Sequence, residues 1–174
     1  MRKLALAAAI LGLTAPAIAQ DSPPLHPVDR WTYVFLSDGT IAWSAEDVFR
    51  HPDGRISVMV TVFQNTPTPV PAGATHTAKS SGAGQLQDFE NRFANYSCTD
   101  ASMIYDGGML FAVADGEVKQ VADLPARPAV QAKSQFDDMI RNHICRGVKP
   151  PESAEAGSTG ELINIALAHR KRSS

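Results

Sequence analysis

Four Asp-Gly pairs divide the chain: Asp38-Gly39, Asp53-Gly54, Asp106-Gly107 and Asp115-Gly116. Glycine takes positive φ without steric cost, so Asp-Gly between apolar runs is a strong hairpin signal. The flanking runs alternate with period two. Trp31 to Leu36 precedes the first pair, and Ile41, Trp43 and Ala45 follow it on one face. Ile56, Val58, Val60 and Val62 share a face after the second pair, with Ser57 and Thr61 opposite. Met109, Phe111 and Val113 run up to the fourth pair, and Val118 and Val121 follow it. Period-two runs joined by tight turns predict a meander of antiparallel hairpins. A parallel sheet would need crossover helices, and no helical periodicity separates these runs.

One helix is expected after the strands. Ser134 suits an N-cap, and Asp137 and Asp138 suit the first turn of a helix dipole. Phe136, Met139, Ile140 and Ile144 form one apolar stripe, which Gly147 and Pro150-Pro151 bring to an end. A stripe of this kind needs a sheet face to cover, so the fold class is α+β, a small antiparallel sheet with a C-terminal helix. A regular helix turns Cys145 away from the stripe, so a bond through it predicts a loosened last turn. Gln64 to Gly84 is rich in Thr, Ser and Pro, with Lys79 as its only charge, and is expected to be a mobile loop. Residues 147–174 are expected to be a linker with a short basic-ended helix outside the core. Ser158 and Glu161 there are spaced as a capping box.

The first residues resemble an address. Met1-Arg2-Lys3 is positive, Leu4 to Leu13 is almost wholly apolar, and Ala17-Ile18-Ala19 has the small-x-small pattern of signal peptidase sites. Residues 1–19 are therefore expected to be a signal peptide cleaved after Ala19, which predicts an exported protein of the periplasm or cell exterior. The apolar stretch is about ten residues, too short to span a bilayer, so no transmembrane segment is expected. No cysteine follows the cleavage site, so no lipid anchor is expected. Cys98 and Cys145 are the two cysteines of the chain. An even, small number of cysteines in an exported chain favours a disulfide. Two separate buried thiols are the alternative, and the spacing does not suit zinc.

Composition narrows function by exclusion. The formal net charge is −2, with a pI near 6.2, and the densest basic run is Arg170-Lys171-Arg172. A nucleic-acid binder would show a basic face, so no nucleic-acid partner is expected. The hydrolase signatures Gly-x-Ser-x-Gly, Ser-x-x-Lys and His-Glu-x-x-His do not occur. Gly82-Ala83-Gly84 lacks the third glycine of a dinucleotide fingerprint, since Gln87 stands there. His51-Pro52-Asp53 reads as turn chemistry rather than as a pair of metal ligands. Asp47, Asp100 and Asp106 make an acid/base site with Tyr105 only if the fold converges them. Asn95-Tyr96-Ser97 fits a glycosylation sequon. No catalytic residue, metal ligand or cofactor site is assigned.

Several elements together resemble a known family. They are Thr40-Ile41-Ala42-Trp43 with Asp47-Val48-Phe49-Arg50, the turn Pro52-Asp53-Gly54, and the strand Ile56 to Phe63. Tyr96-Ser97-Cys98, Ile104-Tyr105-Asp106-Gly107-Gly108, the prolines Pro125 and Pro128, and a helix closing on Ile144-Cys145 complete the order. From residue 28 to 146 the chain resembles the surface-adhesin protein E family of bacterial exported proteins. The resemblance implies an antiparallel sheet with a C-terminal helix, pinned by a Cys98–Cys145 bond. It also implies adhesin-like binding of an envelope or host extracellular protein.

The expected function is therefore a non-enzymatic binding module acting through a sheet edge, a sheet face or the 64–84 loop. A small periplasmic hydrolase, or an inhibitor of one, is the competing expectation. It requires a pocket that gathers titratable groups. A purely structural envelope component is a third.

Overall fold

A computed structural model describes residues 30–76, 85–131 and 134–173. The expected signal peptide lies outside these residues. Among them, ten strands form one sheet, and every pairing is antiparallel. The first five strands are β1 (Trp31–Phe35), β2 (Gly39–Trp43), β3 (Phe49–Arg50), β4 (Arg55–Pro69) and β5 (Thr75–His76). The others are β6 (Leu86–Ser97), β7 (Ser102–Ala114), β8 (Glu117–Leu124), β9 (Arg127–Gln131) and β10 (Ala154–Ala156). The order is β10-β1-β2-β4-β6-β7-β8-β5, with β3 beside β4 and β9 beside β7. Helix α1 (Gln135–Arg146) lies between β9 and β10, and α2 (Thr159–Ser173) ends the described chain. Neither helix is long and apolar enough to cross a membrane.

Three of the four Asp-Gly pairs make the expected turns. Leu36 N–H donates to Gly39 O at 2.8 Å and closes the β1–β2 hairpin. His51 N–H and Arg55 O close the turn around Asp53-Gly54 at 2.8 Å. Asp115 and Gly116 both have positive φ, 54° and 79°, as the two-residue β7–β8 hairpin requires. The Asp106-Gly107 pair is different. It lies inside β7, where Asp106 and Gly107 together face Phe93 between the pairs Ala94↔Tyr105 and Arg92↔Gly108. This is a β-bulge, and Gly107 supplies its φ of 118°. Turn and bulge demand the same positive φ, so the dipeptide alone does not separate them.

The expected 64–84 loop is corrected in its first part. Gln64 to Pro69 continue β4, and Thr68 and Pro69 pair with Gln87 and Leu86 of β6. Thr75–His76 pair with β8. Backbone pairing needs no apolar side chain, and threonine favours strands. Pro67 falls in the irregularity between Phe63 and Thr68, where the regular ladder is interrupted. Residues 77–84 lie outside the described part.

Two apolar clusters lie on opposite faces of the sheet. On one face Ile41, Trp43, Ile56, Val58, Val60 and Tyr96 pack with Ile140 and Ile144 of α1. On the other, Trp31, Tyr33, Ala42, Phe63 and Phe89 pack with Leu162 and Ala166 of α2. The phenyl rings of Phe63, Phe89 and Phe111 form a ladder across β4, β6 and β7, with centroids 4.7 and 4.9 Å apart. The expectation of an external tail is thus corrected. Residues 154–156 add the edge strand β10 to β1, and α2 buries Leu162 at 0% exposure. Two apolar residues four apart suffice for that, a weaker signal than the α1 stripe.

Candidate functional site

Cys98 and Cys145 form a disulfide with a Cα–Cα distance of 5.7 Å and a sequence separation of 47. The expected loosening of α1 does not occur. The helix stays regular through Arg146, and Gly147 takes the left-handed cap conformation at φ 70°. Gly147 and Val148 N–H donate to His143 O and Asn142 O at 2.8 and 3.3 Å. Cys98 follows directly after Ser97, the last residue of β6, and both half-buried cysteines pack against the cluster that holds Ile140 and Ile144.

The residues considered for acid/base chemistry are not brought together. Asp100 closes the turn before β7, accepting from Ser102 N–H at 3.0 Å and Ser102 O–H at 2.6 Å. Those bonds, with one from Ser97, hold its carboxyl well below the usual range. Asp47 N–H donates to Ser44 Oγ at 3.1 Å, in another turn. Tyr105 sits under the Arg92 guanidinium, 5.1 Å from its ring centroid. Burial first, then the Asp137 charge, pushes its phenol up to about 12. Arg92 itself is buried and gives two hydrogen bonds to Glu90, at 2.8 and 3.1 Å. Tyr96 is fully buried and donates to Asp137 Oδ1 at 3.1 Å, and its phenol is raised chiefly by burial.

Asp106 instead ends a polar chain that crosses the sheet. His51 Nε2 lies 2.5 Å from Ser57 Oγ. Ser57 O–H donates to Asn95 Oδ1, and Asn95 Nδ2 donates to Asp106 Oδ2. Ser57 has one proton, and it points at Asn95 Oδ1, so in this arrangement His51 Nε2–H is the donor to Ser57. Asn95, the sequon asparagine, is only 5% exposed, and its amide is engaged in this chain. His143 accepts the Trp43 indole N–H at Nδ1 over 3.0 Å. Burial, then Lys149, lowers its pKa below the ordinary 6.5. Among the described residues no three His, Cys, Asp or Glu side chains are placed to hold a metal ion.

Two open clefts flank α1. The smaller, 350 Å³, is mixed in charge, with Arg30, Arg50, Glu46, Glu155 and His143 in its walls. Arg30–Glu46 and Lys149–Glu155 are ion pairs, so this cleft is largely self-neutralised. The larger, 480 Å³, is a groove between the β1–β2 turn, the first turns of α1 and the segment at 150–152. Val34, Leu36, Phe136, Met139, Pro150 and Pro151 line it. Asp38, Glu152 and Gln135 are its polar members besides Ser37, and no His, Tyr, Lys or Arg is among its walls.

Each wall of the groove is held separately. Asn65 clamps the hairpin tip, its N–H donating to Asp38 O at 2.9 Å and its Nδ2 to Ser37 O at 3.1 Å. Ser134 Oγ caps α1 by accepting Asp137 N–H at 3.0 Å. Ser153 N–H and O–H both donate to Pro150 O, at 3.1 and 2.6 Å. Sequence reasoning missed this groove because its residues come from three stretches with no shared spacing. Compared with known proteins, the chain matches no family model, no curated protein and no solved structure.

Proposed function

We propose that the chain is an exported, disulfide-stapled binding module of the bacterial envelope, adhesin-like and non-enzymatic, similar to the surface-adhesin protein E family. The observation that carries this reading is the groove. It joins apolar walls with side chains that can grip a ligand but do not form a nucleophile and base. Among the described residues, three groups that could do chemistry are engaged in internal bonds: His51 with Ser57, His143 with Trp43 and Tyr96 with Asp137. The disulfide and the signal-like leader support export. The α1 stripe, closed onto the sheet, gives the groove a rigid floor. The test is retention of purified matrix proteins or envelope fractions on the immobilised oxidised chain. Specific retention that Met139→Glu abolishes supports the reading; retention of nothing by a folded chain contradicts it.

A small hydrolase is the second reading, favoured by the 2.5 Å contact between His51 and Ser57. It predicts labelling of Ser57 by a fluorophosphonate. The binding reading predicts no labelling, because the serine proton faces Asn95.

A further inference from the structure

We propose that the groove takes an extended protein segment presenting one apolar side chain flanked by Lys or Arg. This rests on the binding-module reading and names the chemistry of the partner. The argument is charge complementarity. Several acidic side chains elsewhere have cationic partners: Glu46 has Arg30, Asp88 has Arg170, Glu90 has Arg92, Asp138 has Arg141 and Glu155 has Lys149. The carboxylates of Asp38 and Glu152 have neither an ion pair nor a hydrogen bond among the described residues, and both are exposed. They stand at the same groove, on walls far apart in sequence, and among the described residues no Lys or Arg lines it. The same groove is lined by the half-buried Leu36, Phe136 and Met139. Methionine adapts its shape to an incoming side chain without a fixed rotamer. Two negative charges at the rim of an apolar groove match a segment that joins cations to an apolar side chain. They repel an acidic one. Because each wall is already locked by its own hydrogen bonds, binding orders little of the protein.

The probe is the capped peptide Gly-Lys-Phe-Lys-Gly, titrated into the full oxidised chain and followed by backbone amide shifts. Controls are Gly-Glu-Phe-Glu-Gly, Gly-Lys-Ser-Lys-Gly and phenethylamine. The expected result is that the first peptide moves the amides of Leu36, Met139 and Ser153. It binds about tenfold more tightly than the Glu peptide and weakens as salt rises. The exposed double variant Asp38→Asn/Glu152→Gln keeps the unfolding midpoint and loses that preference. Equal binding of the Glu peptide overturns the charge argument and leaves the groove as a grip. Equal binding of phenethylamine overturns the claim for a protein segment. Shifts of the same amides with chain concentration alone assign the groove to a second copy and overturn the proposal. No shift with any probe also overturns it. If the immobilised chain still retains partners, only the groove assignment falls; if it retains none, the binding reading falls too.

Discussion

Helices of opposite character pack on the two faces of the sheet. α1 has an apolar stripe, a serine cap and a covalent bond to the end of β6. α2 buries only Leu162 and Ala166, and is fastened by polar contacts at both ends. At its start, Trp31 donates its indole N–H to Thr159 at 3.2 Å. Ser158 Oγ accepts Glu161 N–H at 3.1 Å, and Glu161 accepts Gly157 N–H at 2.7 Å. At its end, Arg170 pairs with Asp88, and His169 stacks on Phe35 with centroids 4.1 Å apart. Asp88 is nearly buried and also accepts Val113 N–H at 2.7 Å. Each face carries a tryptophan that gives its indole proton to the helix above it, Trp43 to α1 and Trp31 to α2. The difference teaches that a weak stripe can hold a helix when its two ends are riveted to the sheet.

The largest expected break in this comparison is the staple. Replacing both Cys98 and Cys145 by Ser should cost about 2–5 kcal/mol, read as a fall in the urea midpoint. An unchanged midpoint would mean the stripe alone holds α1. On the other face, Leu162→Ala should cost about 2–5 kcal/mol, comparable with Ile140→Ala under α1. If Leu162→Ala is neutral, α2 does not close its face. The caps should contribute least: Ser134→Ala and Ser158→Ala are each expected to cost about 1 kcal/mol in the same denaturation series.

His143 adds a pH-dependent component of stability on the α1 face. His143 has a folded pKa below its ordinary 6.5, because partial burial and then the Lys149 charge disfavour the protonated ring, and the neutral ring accepts from Trp43. The unfolded chain therefore binds this proton first. Stability is full above about pH 6.5 and falls as pH drops from there through the lowered value. His143→Gln, whose carbonyl can still accept the indole proton, should remove that component of the slope. A slope that survives the substitution would assign it to another group.

Much of the strand half of the fold was legible. Period-two runs and Asp-Gly pairs located β1, β2, β4, β7 and β8, because alternation and tight turns are local properties. α1 was legible down to Ser134 and Gly147. Three things were not. The bulge at Asp106-Gly107 uses the same dipeptide as a turn. Gln64 to Pro69 has a loop composition but pairs through its backbone. Residues 154–173 join the sheet through contacts more than a hundred residues away, such as Trp31 with Thr159, which no local pattern encodes. The groove was illegible for the same reason, being assembled from three distant stretches. The cysteines marked a bond, but the geometry of the last helical turn that carries it was read wrongly from periodicity alone.

The account rests on export followed by oxidation, with the bond between Cys98 and Cys145 fixing α1 against the sheet beside the groove. The most direct test is the intact mass of the protein recovered from expressing cells, before and after thiol alkylation, without and with reductant. The account predicts a chain beginning at Gln20 that takes up no alkylating groups until it is reduced, and then two. A chain that keeps Met1 and alkylates at both cysteines without reductant would contradict it.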